Sequence, residues 1–305
     1  MLEETVGTTL PDPVFYAIPL FGVLILAELF WMKRRGGIAY EGRDAAASLA
    51  MGFGSLVPGL LKGVVLYAAF EWVHGFALFD IGFQWWAFVA VFFAEDFCYY
   101  WFHRLSHEHR IWWAAHVNHH SSQHYNLSTA LRQTWTGQVA LTWICWLPLS
   151  LIGFPTELIF FQLGVSLVYQ FWIHTEAVRR LPAWFEAVFN TPSHHRVHHA
   201  TNARYLDANY GGILIVWDRL FGSFVAETAG EPCRYGIVKN LGSFNPLVIA
   251  SHEWVALFRD LARARTWRGR LKTIFGPPGW REDGQGSTSA DIRRQWQAKQ
   301  GQPAE

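Results

Sequence analysis

Fourteen histidines are spread unevenly along the 305 residues, and six of them fall between His103 and His120. Three spacings stand out: His103-x-x-x-His107, His116-x-x-His119-His120, and His195-x-x-His198-His199. Residues three and four apart share one face of a helix, so each cluster is expected to present two or three imidazoles to a common point. An isolated buried histidine is ordinarily a satisfied core residue, whereas three helically spaced groups point to metal. Imidazole without thiolate suits Zn, Cu, Fe or Ni. These histidines outnumber the ligands of one four-coordinate zinc, so two metals are implied. The H-E-x-x-H pattern of zinc proteases is absent: Ala256 and Ile111 stand where His252-Glu253 and His107-Glu108 would need a second histidine. Two irons with open positions bind and split O2, chemistry that side chains alone do not perform.

Further residues belong to the same reading. His174, with Gln170 one turn earlier, is a candidate ninth ligand. His194 competes with His195, because His194-x-x-x-His198 is also helically spaced; the 195 frame is preferred. His74, His109, His124 and His252 lack such spacing and are not expected to bind metal. Asp96 lies two turns before His103 on the same helix face, with Tyr99 and Tyr100 between. A carboxylate there can accept the second ring N–H of a ligand histidine and fix its orientation. The alternative is an interfacial acid exposed to water, although a charge so close to the membrane is costly and usually functional.

The elements that must position these residues read as membrane helices. Charged residues make up only 16% of the chain and aromatics 17%, with 17 Trp, a profile of lipid contact and interfacial aromatic belts. Lys+Arg (25) and Asp+Glu (24) nearly balance, giving no reason to expect nucleic acid. Cys98, Cys145 and Cys233 form no spaced pattern, so neither a disulfide framework nor a thiolate metal site is expected. Apolar runs lie at Val14–Met32, Leu49–Phe70, Trp85–Phe102, Gln138–Phe154 and Leu158–Ile173. The first follows acidic Glu3, Glu4 and Asp12 and has no cleavage site after it, so it reads as a retained span rather than a signal peptide. The last two are joined by the turn Gly153–Phe154–Pro155 and are short enough to form a hairpin that only dips into the bilayer.

Sidedness follows from the basic residues. Lys33, Arg34, Arg35 and Arg43 lie between the first two runs, and residues 71–84 carry none. The positive-inside rule therefore places the 33–43 loop in the cytosol. Counting spans from there lands every histidine cluster on the cytosolic side, with Arg179 and Arg180 just after His174. The expected fold is all-α: an integral membrane bundle of four or five embedded helices under a cytosolic, histidine-rich di-iron cap. It extends over residues 1–275, and 276–305 are expected to be a disordered polar tail. Arg259–Lys272 holds six basic residues against one Asp. It is either a contact for anionic headgroups or a solvated basic helix.

The three boxes, with Asp96-Phe-Cys-Tyr-Tyr-Trp-Phe-His-Arg104 before them, resemble the fatty acid hydroxylase (sterol desaturase) superfamily of membrane di-iron enzymes. More specific are His119-His-Ser-Ser-Gln-His-Tyr-Asn-Leu-Ser-Thr-Ala-Leu-Arg-Gln133, Gln170-Phe-Trp-Ile-His-Thr-Glu176 and Asn190-Thr-Pro-Ser-His-His-Arg-Val-His-His199. With Asn209-Tyr-Gly-Gly, Trp217-Asp-Arg-Leu-Phe-Gly222 and Tyr235-Gly, they are similar to the branch that acts on alkylglycerol-type lipids. The resemblance covers residues 15–255. It implies iron ligation by His103, His107, His116, His119, His120, His195, His198 and His199, and a functional acid at Glu108. It also implies O2-dependent hydroxylation of the carbon next to an ether oxygen, with tetrahydrobiopterin as electron donor. The chain departs from that branch after the third box, where a polar tail replaces further spans; a different lipid, and a redox protein as donor, are the alternatives there. The boxes do not separate hydroxylation from desaturation. A zinc-dependent membrane hydrolase and a non-catalytic metal-binding or transport protein are the rivals from other classes.

Overall fold

The computed structural model describes residues 10–35 and 40–301. Glu3 and Glu4, part of the basic loop after Arg35 and the last four residues of the expected tail lie outside the described residues. Helix α1 (Pro13–Arg34) starts where Asp12 accepts the Val14 N–H, with proline at its first position, and ends on basic residues. Then come α2 (Gly42–His74), α3 (Trp85–Glu108) and α4 (Arg110–His120), followed by 3-10 turns at Leu127–Leu131 and Thr142–Trp146. Short α5 (Leu147–Ile152) leads into α6 (Thr156–Trp172), α7 (Ala183–Val188), α8 (Pro192–His198) and α9 (Val216–Leu220). The chain finishes with α10 (Pro246–Arg263), α11 (Trp267–Phe275) and α12 (Ser289–Lys299). No strand is assigned among the described residues, and the fold is all-helical.

Among the described residues, α1 is the one helix both long and apolar enough to cross a membrane. Only Ala17, Phe21 and Glu28 of α1 are buried, so its apolar surface faces outward. Exposed apolar rings and chains also stud α2 (Phe53, Val64, Val65, Trp72) and α3 (Trp85, Val89, Phe93). The run Gln138–Phe154 is not one helix. Leu141 takes a left-handed conformation, and a new helix starts at Leu147–Pro148, because proline has no N–H to continue the preceding turn. Near 1.5 Å per residue, neither short piece could cross about 30 Å of hydrocarbon.

Polar groups buried among these helices tie them to the segments that follow α4 and α6. Glu28 accepts from Tyr40, from the Leu127 N–H and from Thr175, so α1 holds both the 3-10 turn and the segment after α6. Arg132, 1% exposed, pairs with Asp44 of α2 at 2.6 Å and donates to Ser48 and Ser121 at the end of α4. Residues 276–301, part of the stretch expected to be a disordered polar tail, include α12 and contacts to the rest of the chain. Gly276 O accepts the Arg110 N–H, α12 opens with a reciprocal Thr288–Asp291 cap, and Arg293 donates to Leu206 O. Capping and backbone contacts hold these residues where the segment's few apolar residues do not.

Candidate metal centre

Four stretches of chain bring the histidines together. The end of α3 carries His103 and His107, and α4 carries His116, His119 and His120. His174 follows α6, and α8 with its C-cap carries His195, His198 and His199. Nine imidazoles form two groups: His103, His107, His116, His120 and His198, and separately His119, His174, His195 and His199. Within each group the candidate ligand atoms lie within 4.8 Å of one another. The first box serves one point as expected, with His103 and His107 in the same group, whereas the second and third boxes are each divided. In α4, His116 and His120 stand four apart and go to one group while His119 goes to the other. In α8, His195 and His199 are the matched pair and His198 crosses over.

The nitrogens are spaced as ligands of a shared ion are. Nε2 atoms lie 3.1 Å apart for His103 and His116, and 3.0 Å for His116 and His120. In the second group, His174 lies 3.2 Å from His119 and 3.0 Å from His195, and His195 lies 3.2 Å from His199. Two nitrogens each about 2.0–2.1 Å from one metal fall roughly 3.0–3.4 Å apart. Outer contacts fix the ring tautomers. Nδ1–H of His103 donates to Tyr210 O, that of His198 to Ala208 O and that of His174 to Gln170 O, which leaves each Nε2 lone pair for the centre. His107 Nδ1 lies 3.5 Å from Asp207. The buried Nε2 atoms of His107 and His198 have no hydrogen-bond partner, a costly state unless something electropositive sits between the rings. Desolvation lowers the pKa of His103 to about 3 and that of His174 to about 4. It also holds His116, His119, His120, His195, His198 and His199 well below the ordinary range. Neutral imidazole is the metal-binding form.

The other sequence candidates are placed as follows. His194 lies in neither group; its Nε2 is 4.0 Å from Glu186. His74, His109, His124 and His252 are likewise outside both. Asp96 is buried but does not touch a histidine. It accepts the Ile213 and Leu214 N–H groups at 2.7 and 3.1 Å and the Trp217 indole at 2.9 Å. It thus anchors the loop whose Tyr210 carbonyl orients His103, one step further out than expected. Glu108 pairs with Arg104 at 2.8 Å, half exposed and outside both groups.

Several contributors carry no signal as single letters: the carbonyls of Gln170, Ala208 and Tyr210, and Arg196, which donates to Thr175 O and Val178 O and pins α8 beside His174. The Asn209-Tyr-Gly-Gly stretch did carry one. Asp218 accepts the Tyr210 and Gly211 N–H groups. A Cβ at Gly212 would lie 2.8 Å from Tyr99 and 2.9 Å from Asp96, so only glycine lets the loop lie this close on α3.

Residues 88–223, which hold all nine imidazoles, match the family model described as Fatty acid hydroxylase. Similar relatives are the alkylglycerol monooxygenases of Homo sapiens, 38% identical over 276 residues, and of Danio rerio, 40% identical over 278. Each alignment covers 88% of this chain and 60% of the relative, so the chain spans well under two thirds of their length. Ornithine lipid hydroxylase OlsE of Rhizobium tropici is 28% identical over 225 residues, covering 68% of this chain and 63% of the relative. No solved structure matches the chain.

Proposed function

We propose that the chain is a membrane-bound, histidine-ligated di-iron monooxygenase that hydroxylates a C–H bond of a membrane lipid. The observation that carries this is the pair of all-imidazole groups, nine buried or half-buried rings gathered at two points, with the Nε2 atoms of His107 and His198 unpartnered in the first. The five-membered group would hold one iron and the four-membered group the other. When bound, the irons supply O2 activation: one oxygen atom enters the C–H bond, and the other leaves as water with two external electrons and two protons.

The chain's own residues then orient and shelter. Asp207 and the carbonyls of Tyr210, Ala208 and Gln170 keep the rings aimed inward. A cavity of about 460 Å³ runs from Val14, Phe21, Leu66 and Phe70 up to His116, His119 and His174. Its mostly apolar wall suits a lipid chain and keeps water from the reacting carbon. A second cavity of about 510 Å³ reaches His107, His120, His198 and His199 past Asp207, Lys239 and Asn240. This more polar side is the approach for the electron donor, tetrahydrobiopterin or a redox protein. The relatives favour a lipid of the alkylglycerol type, attacked next to its ether oxygen. In this reading α1, α2, α3 and α6, with the broken α5 hairpin, make four or five embedded helices beneath a cytosolic cap.

Cells with and without the gene, grown under 18O2, provide the test. Mass spectrometry of their lipids should reveal one labelled oxygen in a hydroxylated lipid, or loss of an ether lipid. A new double bond without label would convert the assignment to desaturation, and an unchanged lipid profile would remove it.

A further inference from the structure

Helix α10 is amphipathic the wrong way round for a helix packed in water. Its inward face holds Glu253 and Asp260, each 2.8 Å from the buried Arg110 of α4. Its outward face is largely apolar: Leu247, Val248, Val255 and Phe258 are all exposed, Phe258 by 60%. A soluble helix buries such a stripe and hydrates its charges. The next helix repeats the pattern. Trp267, Leu271 and Phe275 recur every four residues of α11 and are exposed, Trp267 by 72%.

Charge flanks both stripes. Arg259, Arg263, Arg265, Arg268, Arg270 and Lys272 are all exposed, and the single acid among them, Asp260, is already committed to Arg110 and Arg281. The surface is therefore apolar with a predominantly basic margin, offset beside Arg265 by Glu282. Its height is set by α2, since Ile249 of α10 packs on Ala47 and Met51, in the first turns of that helix.

We propose that α10 and α11 lie in the headgroup region of an anionic bilayer, their stripes dipped among the acyl chains and their arginines against lipid phosphates. Apolar stripes with basic flanks are what an in-plane membrane helix requires, and each basic residue near an anionic leaflet adds attraction. The proposal deepens the membrane reading above and rests on it, but not on the iron chemistry.

The test places nitroxide labels, one at a time, at Val255, Leu271, Leu26 of α1 and Asp283 in the full chain, reconstituted in vesicles containing phosphatidylserine. Labels at Val255 and Leu271 should collide with O2 and lose collisions with a water-soluble nickel chelate, as the Leu26 label does, while Asp283 stays open to nickel. The Arg259→Gln, Arg263→Gln, Arg268→Gln, Arg270→Gln variant, or vesicles of phosphatidylcholine alone, should return Val255 and Leu271 toward water. A lipid-buried Leu26 with nickel-accessible Val255 and Leu271 would overturn this proposal alone. A Leu26 label open to nickel would sink the membrane reading with it. Protection at Val255 that fades as the protein is diluted in lipid would assign the stripe to a second copy of the chain and overturn the bilayer.

Discussion

Replacing His198 by Ala removes from the five-membered group a nitrogen that has no other partner. The purified variant should hold one iron fewer than the parent and lose turnover with it. His119→Ala should do the same through the four-membered group, and the double variant should lose both ions, all read by metal analysis. Full iron in either single variant would remove that ring from the ligand set, and zinc that supports turnover after iron-replete expression would displace iron altogether. Glu108 makes a different case. Its carboxylate ends on Arg104, four residues back and away from both groups. Glu108→Gln should leave iron content unchanged and cost only about 0.3–0.5 kcal/mol of stability, as an i,i+4 surface pair does. A tenfold fall in turnover at full iron would instead give Glu108 the functional role that its place beside His107 suggested.

At the level of elements, the loop from Asn209 to Trp217 acts as a splint on α3. Asp96 holds it by three hydrogen bonds and the loop in turn holds His103 through Tyr210 O. Asp96→Asn turns an acceptor that satisfies three donors into one that satisfies fewer. It should lower the melting temperature and weaken iron in the five-membered group by roughly tenfold to a hundredfold, the usual cost of losing an outer-shell partner. Metal titration that affects both groups equally, or neither, would contradict this chain of contacts. Eight of the nine clustered imidazoles were legible from i, i+3 and i+4 spacing, and His174 from its place at the end of an apolar run one turn after Gln170. The sorting into five and four was not, since it depends on how α4 and α8 face each other across the fold. Nor was the splint legible: Asp96 was expected to orient a histidine directly, but its partners are backbone amides and an indole more than a hundred residues away, invisible to any local spacing.

For the whole molecule, sidedness is the open measurement. A cysteine at Gly75, exposed after α2, should react with an impermeant thiol reagent in intact cells, and one at Arg204, exposed on the cap, only after the cells are opened. Labelling of Arg204→Cys from outside would invert the topology. The long second helix has a further consequence. At 33 residues it is about 50 Å long, longer than about 30 Å of hydrocarbon, and its first turns hold Arg132 through Asp44 and Ser48, close to the histidine groups. Along the same rod, the apolar cavity runs from Ser55 to Phe70, roughly 22 Å at 1.5 Å per residue. In the proposed reaction the helix serves as a gauge: the carbon level with the imidazoles would be the one oxidised, and the depth to Phe70 would set how much chain may hang below it. Raising that floor with Leu66→Trp should shift preference to shorter lipids while leaving the attacked position unchanged.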